Sequence, residues 1–302
     1  MLLKKFPEAM VVTNEKCRAF EIEHLHIPEN KFIVVKDNDT LTLGNKTLRF
    51  LLTPWVHWPE TMVTYLEEDK ILFSCDFFGS HYAGSEMYAG ENPTVVHGAK
   101  RYYAEIMMPF RTTVVKNIDK VTQFEIKTIA PSHGPIYDKP EIIIDAYRDW
   151  TSDKVKKEVL IPYVSMHGST KIMVDYLVDR LIKKGYTVKP FNLPVTDIGE
   201  LAMSLVDAST IIIGSPMVLA GAHPAAVYSA FLANALRPKT KYVSIVGSYG
   251  WGGKMVDQLA GLISNLKVDI IEPVLVKGLP REEDLRRLDA LIESLDEKHK
   301  TL

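Results

Sequence analysis

The sequence has few cysteines and no long apolar run. Cys17 and Cys75 are the only cysteines among 302 residues, which favours a reducing, cytoplasmic setting and argues against a disulfide framework. No apolar stretch reaches the roughly 18 residues that a membrane-spanning helix needs, and the start MLLKKFPEAM lacks the apolar region of a signal peptide. The formal net charge is −2, so no basic excess indicates nucleic-acid binding.

The length and composition predict two globular domains. Hydrophobic residues make up 46% and charged residues 25% of the chain, which is enough apolar material for about two cores. We expect one domain over residues 1–150 and another over residues 156–302, separated in the polar stretch 149–157. The first half has short apolar segments at strand spacing. These segments read AMVVT, KFIVV, DTLTL, TLRFLLT, TMVTYL and KILFSC.

The second half alternates strictly between strand and helix patterns. Its predicted strands are EVLIPYV, TVKPFNL, STIIIGSP, KYVSIVGS and VDIIEPVLV, and each is followed by a helical segment. Nearly continuous apolar strands alternating with helices are typical of a parallel sheet that is covered on both faces. We therefore predict an α/β fold with a five-stranded parallel sheet for this half.

The first strand of this predicted sheet ends in the sequence YVSMHGST, which we call the hydroxyl loop (residues 163–170). Ligands of parallel α/β sheets bind beyond the carboxyl ends of the strands, and a helix that begins there offers unpaired N–H groups to an anion. Ser165, Ser169 and Thr170 add hydroxyl donors, while Gly168 permits close approach of the backbone. The loop matches neither G-x-x-x-x-G-K-[ST] nor G-x-G-x-x-G. It predicts a phosphate site without a basic side chain; the alternative is an ordinary helix N-cap.

Two further strand ends could frame a flat ring beside that phosphate. We call them the second rim loop, GSPMVLAG (residues 214–221), and the third rim loop, GSYGWGG (residues 247–253). Both combine glycines with large apolar or aromatic side chains.

The first half places three potential metal ligands just after predicted strands. His57 lies in TPWVHWPET, Asp76 in LFSCDFFGS and His133 in IAPSHGPIY. Imidazole and carboxylate suit iron, zinc or manganese, and a carboxylate can bridge two ions. Each residue alone could equally be a loop side chain that makes hydrogen bonds.

The second half resembles flavodoxin, over residues 156–302. The motifs that carry the resemblance are the hydroxyl loop, Gly-Ser-Pro in the second rim loop and the third rim loop as a whole. The resemblance implies bound FMN, with phosphate contacts from Ser165, His167, Gly168, Ser169 and Thr170. It places Pro216, Met217, Val218 and Leu219 along the isoalloxazine ring, and Ser248, Tyr249, Gly250, Trp251, Gly252 and Gly253 on the other side. His167 departs from the aromatic residue that is common at its position.

The first half resembles the metallo-β-lactamase fold through T-P-x-x-H, S-x-D and P-x-H-G. Such a domain followed by a flavodoxin domain resembles a flavodiiron protein, and RYYAEIMMPF also fits that family. By this match His57 and His133 would be terminal ligands of two irons, with Asp76 as the bridging carboxylate. We expect Cys75 to be a buried structural thiol. The family's H-x-E-x-D-H motif is absent, so we expect a first domain that is incomplete at its N-terminus and a di-iron site that is incomplete in this chain.

The resemblance implies an oxidoreductase in which FMN passes electrons to a di-iron site that reduces O2 to water or NO to N2O. The implied donor is rubredoxin, a reduced deazaflavin or another flavoprotein. The implied assembly is a homodimer or homotetramer with head-to-tail pairs. One alternative is an FMN electron carrier whose first half serves only assembly. A weaker one is a zinc hydrolase with an appended flavodoxin domain.

Overall fold

The computed structural model describes residues 2–302. The chain divides into two compact units, Met1–Thr151 and Ser152–Leu302. No helix among the described residues is both long and apolar enough to cross a bilayer.

The first unit is built on a five-stranded sheet. The seven strands of this unit's described residues are β1 (Val11–Thr13), β2 (Phe32–Val34), β3 (Thr40–Leu43), β4 (Lys46–Leu52), β5 (Met62–Leu66), β6 (Ile71–Cys75) and β7 (Thr128–Pro131). Strands β3 to β6 form an antiparallel meander, and β7 pairs in parallel with β6. Strands β1 and β2 form a separate parallel pair. All six strand segments predicted for residues 10–80 are therefore present.

The described part of the first unit also contains five α-helices. They are α1 (Leu2–Lys5), α2 (Glu15–Leu25), α3 (Pro93–Tyr102), α4 (Arg111–Val121) and α5 (Pro140–Thr151). A π-helical turn (Tyr103–Met107) and a 3-10 turn (Met108–Phe110) join α3 to α4, and a second 3-10 turn covers Glu29–Lys31. The sequence did not predict α2, because none of its residues is buried and it therefore lacks the apolar stripe that marks a helix. Its start is capped by Asn14, whose side chain accepts from the Cys17 amide.

The second unit is a doubly wound α/β sheet. Its strands are β8 (Lys156–Tyr163), β9 (Thr187–Asn192), β10 (Ala208–Val218), β11 (Gly221–Ala222), β12 (Tyr242–Tyr249), β13 (Asp269–Ile270) and β14 (Val274–Lys277). Its helices are α6 (Ser169–Lys183), α7 (Ile198–Leu205), α8 (Pro224–Leu236), α9 (Met255–Leu262) and α10 (Glu282–His299). The strand order is β9-β8-β10-β12, followed by β13 and β14, and all of these pairs are parallel. The predicted parallel sheet is confirmed.

Two details of the sheet differ from the prediction. The segment VDIIEPVLV forms two short strands rather than one, because Pro273 has no N–H to donate to the ladder. The second rim loop is mostly strand: β10 continues to Val218, and β11 folds back antiparallel to it. Leu219 and Ala220 make the turn with φ of 48° and 64°, as a two-residue hairpin turn requires.

Candidate functional site

A cavity of about 460 Å³ opens at the carboxyl ends of β8, β10 and β12. It is lined by Ser165, Met166, His167, Ser169, Thr170, Pro216, Met217, Val218, Leu219, Ser248, Tyr249, Gly250, Trp251 and Gly278. The structure thus brings together all the predicted FMN contacts except Gly168, Gly252 and Gly253. Met166 and Gly278 were not predicted. Gly278 follows β14 with a φ of +73°, and a glycine directly after an apolar strand is the signal that could have indicated it.

The hydroxyl loop forms one end of this cavity. Gly168 has a φ of +90°, a conformation that favours glycine, and it is the N-cap of α6. The Ser165 hydroxyl accepts a hydrogen bond from the Lys171 amide at 3.2 Å. Thr170 is buried, and its hydroxyl lies 3.3 Å from that of Ser248. The α6 N-terminus and the neutral hydroxyls therefore face a common space, an arrangement that binds anions without a lysine or arginine.

The second and third rim loops are fastened to each other. The Lys254 amide donates to the Ala220 carbonyl at 2.9 Å. A Cβ on Gly253 would lie only 2.5 Å from the Ala220 oxygen and 2.6 Å from the Met217 sulfur. Gly253 therefore does not line the cavity but allows the two loops to approach. Leu219 and Trp251, at the rim, are 96% and 77% exposed.

These features fit FMN. The cavity volume falls in the range of about 300–1,000 Å³ that is typical of cofactor sites, which combine apolar walls with a few polar groups. Its polar end carries hydroxyl donors and a helix N-terminus, as a phosphate requires. Its apolar end carries Met217, Val218 and Leu219 with Tyr249 and Trp251, as a flavin ring requires.

The first unit brings His57, Asp76 and His133 together. The Asp76 Oδ2 lies 3.3 Å from His57 Nε2, and its Oδ1 lies 3.2 Å from His133 Nε2. Each carboxylate oxygen therefore faces a different imidazole. This is the geometry in which a carboxylate can bridge two positions, each with one imidazole nitrogen.

Backbone hydrogen bonds hold these three side chains in place. The Ser132 amide donates to the Cys75 carbonyl at 2.7 Å, and the Ser80 amide donates to the His133 carbonyl at 3.0 Å. The loops after β6 and β7 are therefore joined on both sides of Asp76. The loop that carries His57 is closed at its base, where the Thr53 amide donates to the Thr61 carbonyl at 2.9 Å.

Tyr102 is a neighbour of this cluster that the sequence did not single out. Its ring lies 5.6 Å from that of His133, and the residue is buried. Burial, and secondarily the Asp76 charge, raises the pKa of Tyr102 well above its usual range, so the phenol keeps its proton. Its place in RYYAEIMMPF, a segment that fits the flavodiiron pattern, is the signal that could have indicated it.

The three side chains fit only part of a di-iron centre. They offer each of two ions one nitrogen and one oxygen, which does not complete a coordination shell. In the part of the chain that the structure describes, no three His, Cys, Asp or Glu side chains form a group that could hold one ion. Cys75 was expected to be buried, but it is exposed, because it follows the alternation of β6, in which Phe73 two residues earlier is also exposed.

Comparisons with known proteins agree with both halves of this description. A family model described as "ODP family beta lactamase" matches residues 1–134. A nitric oxide reductase of Moorella thermoacetica is 36% identical over 298 residues, covering 95% of this chain and 73% of that protein.

Two solved structures are similar over nearly the whole chain. The rubredoxin oxygen:oxidoreductase of Desulfovibrio gigas has a TM-score of 0.95 at 28% identity, covering 99% of this chain and 77% of that one. The flavodiiron protein of Giardia intestinalis has a TM-score of 0.88 at 29% identity, covering 94% and 72%. With the flavin-sized cavity in one unit and the His–Asp–His cluster in the other, this chain belongs to the flavodiiron proteins.

Proposed function

We propose that the chain is an FMN-dependent oxidoreductase of the flavodiiron type that reduces O2 to water or NO to N2O. The observation that carries the proposal is the cavity at the carboxyl ends of the second unit's strands, with an anion-binding end and an apolar end. Family membership supports the reaction class, since a similar protein is named a nitric oxide reductase and another a rubredoxin oxygen:oxidoreductase.

The cavity residues have two roles in this proposal. Ser165, His167, Ser169 and Thr170, with the backbone around Gly168, hold the flavin phosphate. Pro216, Met217, Val218 and Leu219 lie along one side of the ring, and Ser248, Tyr249, Gly250 and Trp251 lie along the other, while Gly252 and Gly253 complete the third rim loop outside the cavity wall. These apolar walls exclude water from the ring faces. Bound FMN supplies reversible two-electron chemistry that can proceed in single-electron steps.

His57, Asp76 and His133 are the proposed metal ligands and catalytic residues of the first unit. Asp76 directs one oxygen to each imidazole and so positions both rings. Tyr102 keeps its proton beside them, with its ring 5.6 Å from that of His133. Iron would supply the site of O2 or NO reduction, and these three side chains do not complete its coordination shell.

The proposed electron donor is rubredoxin or a reduced deazaflavin, and the proposed assembly is a homodimer or homotetramer. We also propose that the protein is cytoplasmic and binds neither a membrane nor a nucleic acid. Two cysteines in 302 residues favour a reducing compartment, and a net charge of −2 provides no basic excess for nucleic-acid binding. The proposed domain limits are residues 1–150 and 156–302.

A second candidate is an FMN electron carrier. It is favoured by the lack, among residues 2–302, of three ligand side chains grouped around one position. In that case the second unit exchanges electrons with partner proteins and the first unit performs no chemistry.

One experiment tests both candidates. The purified chain is assayed for flavin and for iron, then given reduced rubredoxin or reduced deazaflavin together with O2 or NO. FMN with iron at di-iron stoichiometry and consumption of either gas supports the oxidoreductase. FMN without iron, and without consumption of either gas, supports the carrier. A colourless chain that takes up no added FMN refutes both.

A further inference from the structure

The hairpin that forms one wall of the flavin cavity has an edge without a neighbouring strand. In this rim hairpin (residues 217–222), Met217 lies opposite Ala222 and Val218 lies opposite Gly221. Among residues 2–302, β11 pairs with no strand other than β10. Successive residues of an antiparallel pair direct their amides alternately toward and away from the partner strand. An amide of β11 that points away from β10 therefore needs an acceptor from outside the sheet.

Gln258 provides this acceptor. It lies on α9, the helix that follows the third rim loop, and its Oε1 accepts a hydrogen bond from the Ala222 amide at 2.8 Å. Ala222 is buried, whereas Gln258 is exposed, so a surface side chain satisfies an interior amide. Leaving a buried donor without an acceptor costs more than a typical hydrogen bond contributes. The position of the hairpin therefore depends on this one side chain of α9.

Gly221 leaves room for the Gln258 side chain. A Cβ at position 221 would lie 2.6 Å from the Gln258 Oε1, and the three atoms nearest to it all belong to the Gln258 amide group. The amide group thus lies against the backbone of Gly221. Any side chain at position 221 would displace it.

Two further hydrogen bonds fasten the hairpin at its ends. The His223 amide donates to the Ser215 hydroxyl at 2.9 Å and so joins the end of β11 to β10. At the turn, the Lys254 amide donates to the Ala220 carbonyl at 2.9 Å. The Gln258 contact lies between these two, and Gln258 is the exposed side chain among them. Its replacement should therefore loosen the hairpin without disturbing the core.

From these contacts we infer that Gln258 is a positioning residue for the wall of the flavin cavity. Its side chain does not line the cavity, and it acts through the hairpin that carries Met217 and Val218. Without the acceptor, the hairpin spends part of its time in other positions. The apparent Kd for a flavin then rises as the binding-competent fraction falls. The inference rests on the proposed function, because it takes a flavin to be the ligand of this cavity.

The test uses the full chain stripped of flavin. It is titrated with FMN and with riboflavin, which has the ring but no phosphate, and binding is followed by quenching of flavin fluorescence. Q258L keeps the size of the side chain without the acceptor. Both Kd values should rise by the same factor, about three- to tenfold, the order of one neutral hydrogen bond. T170V, which changes the phosphate end of the cavity, should raise the Kd of FMN alone.

A rescue variant separates the acceptor from the shape of the side chain. Q258E restores an oxygen that can accept from the Ala222 amide, so its riboflavin Kd should match that of the unmodified chain. Riboflavin is the ligand for this comparison because it carries no charge that the new carboxylate could repel. D257N changes the adjacent exposed side chain and should bind both flavins as the unmodified chain does. Far-UV circular dichroism checks that each variant is folded.

A double-mutant cycle tests whether Gly221 and Gln258 act together. G221A should raise the riboflavin Kd as Q258L does, because its new Cβ displaces the Gln258 amide group. The double variant G221A/Q258L should bind riboflavin no more weakly than either single variant, since the hydrogen bond can be lost only once.

Four outcomes would overturn the inference. The first is a folded Q258L variant whose riboflavin Kd equals that of the unmodified chain. The second is a Q258E variant that binds riboflavin as weakly as Q258L. The third is a G221A/Q258L variant in which the two single effects multiply. In the fourth, the unmodified chain binds neither flavin, and then the proposed function fails and the inference with it. The first three leave the proposed function intact, so the two failures are distinguishable.

Discussion

Gly253→Ala should weaken FMN binding although residue 253 does not line the cavity. The new Cβ would lie 2.5 Å from the Ala220 carbonyl oxygen, where ordinary contact begins at 3.4 Å, so the second and third rim loops must separate by about 0.9 Å. That carbonyl also accepts from the Lys254 amide, which resists the movement. Overpacking of this kind costs about 1–3 kcal/mol. If the strain is relieved by opening the loops, the FMN Kd should rise about 5- to 140-fold.

The adjacent glycine provides the matched control. A Cβ on Gly252 would meet no atom within 4 Å, so Gly252→Ala should bind FMN as the unmodified chain does. Both variants are titrated with FMN by fluorescence quenching, and their thermal unfolding is compared to separate local loop strain from loss of the fold. Equal FMN affinities for the two folded variants would refute the reasoning.

Three further changes have expected outcomes. Burial lowers the pKa of His299 from 6.5 to about 4, so the unfolded chain binds more protons between these values and stability falls as the pH falls through them. This pKa difference corresponds to at most about 3 kcal/mol of unfolding free energy, or about 2 kcal/mol after allowance for the partial exposure of the ring. Between pH 7 and pH 4.5, urea unfolding should show a loss of stability that is smaller by this amount in H299Q than in the unmodified chain. D76N should weaken the binding of Co2+, used as the metal probe, about tenfold or more, because a neutral amide is a poorer ligand than a carboxylate. Binding is measured by equilibrium dialysis, and D175N is the control variant. T170V should raise the FMN Kd about tenfold through loss of a hydroxyl donor to a charged group, whereas T170S should not.

Each of these has a result that would contradict it. An H299Q variant that loses as much stability as the unmodified chain between the two pH values would show that the ring is not responsible. Equal Co2+ binding by D76N and D175N would remove Asp76 from the proposed metal site. An FMN Kd of T170V that matches that of T170S would mean that the hydroxyl does not reach the phosphate.

The secondary structure was predictable wherever burial imposes a period on the sequence. In β5 buried and half-buried residues alternate along Met62–Leu66, and in β8 the residues from Glu158 to Tyr163 are all buried; these are the patterns of strands with one and two covered faces. Prediction failed where burial leaves no pattern. Helix α2 has no buried residue, and the break between β13 and β14 depends on one proline.

The proposed FMN cavity was more predictable than the surroundings of Asp76. Parallel strands end at one edge of their sheet, so the hydroxyl loop and the two rim loops must meet once the sheet forms. No such rule places Tyr102 beside His133, since Tyr102 ends a helix that the sequence does not align with β7. That contact depends on how α3 packs against the sheet.

By itself, the sequence determined most of the strands and helices, and which residue types stand at the strand ends, because these follow from the local alternation of apolar and polar side chains. The tertiary structure alone decided that the two oxygens of Asp76 face two different histidines, and that Gly253 allows two loops to touch. Such distances arise from packing and from backbone hydrogen bonds between segments far apart in the chain, and local side-chain patterns carry no information about them.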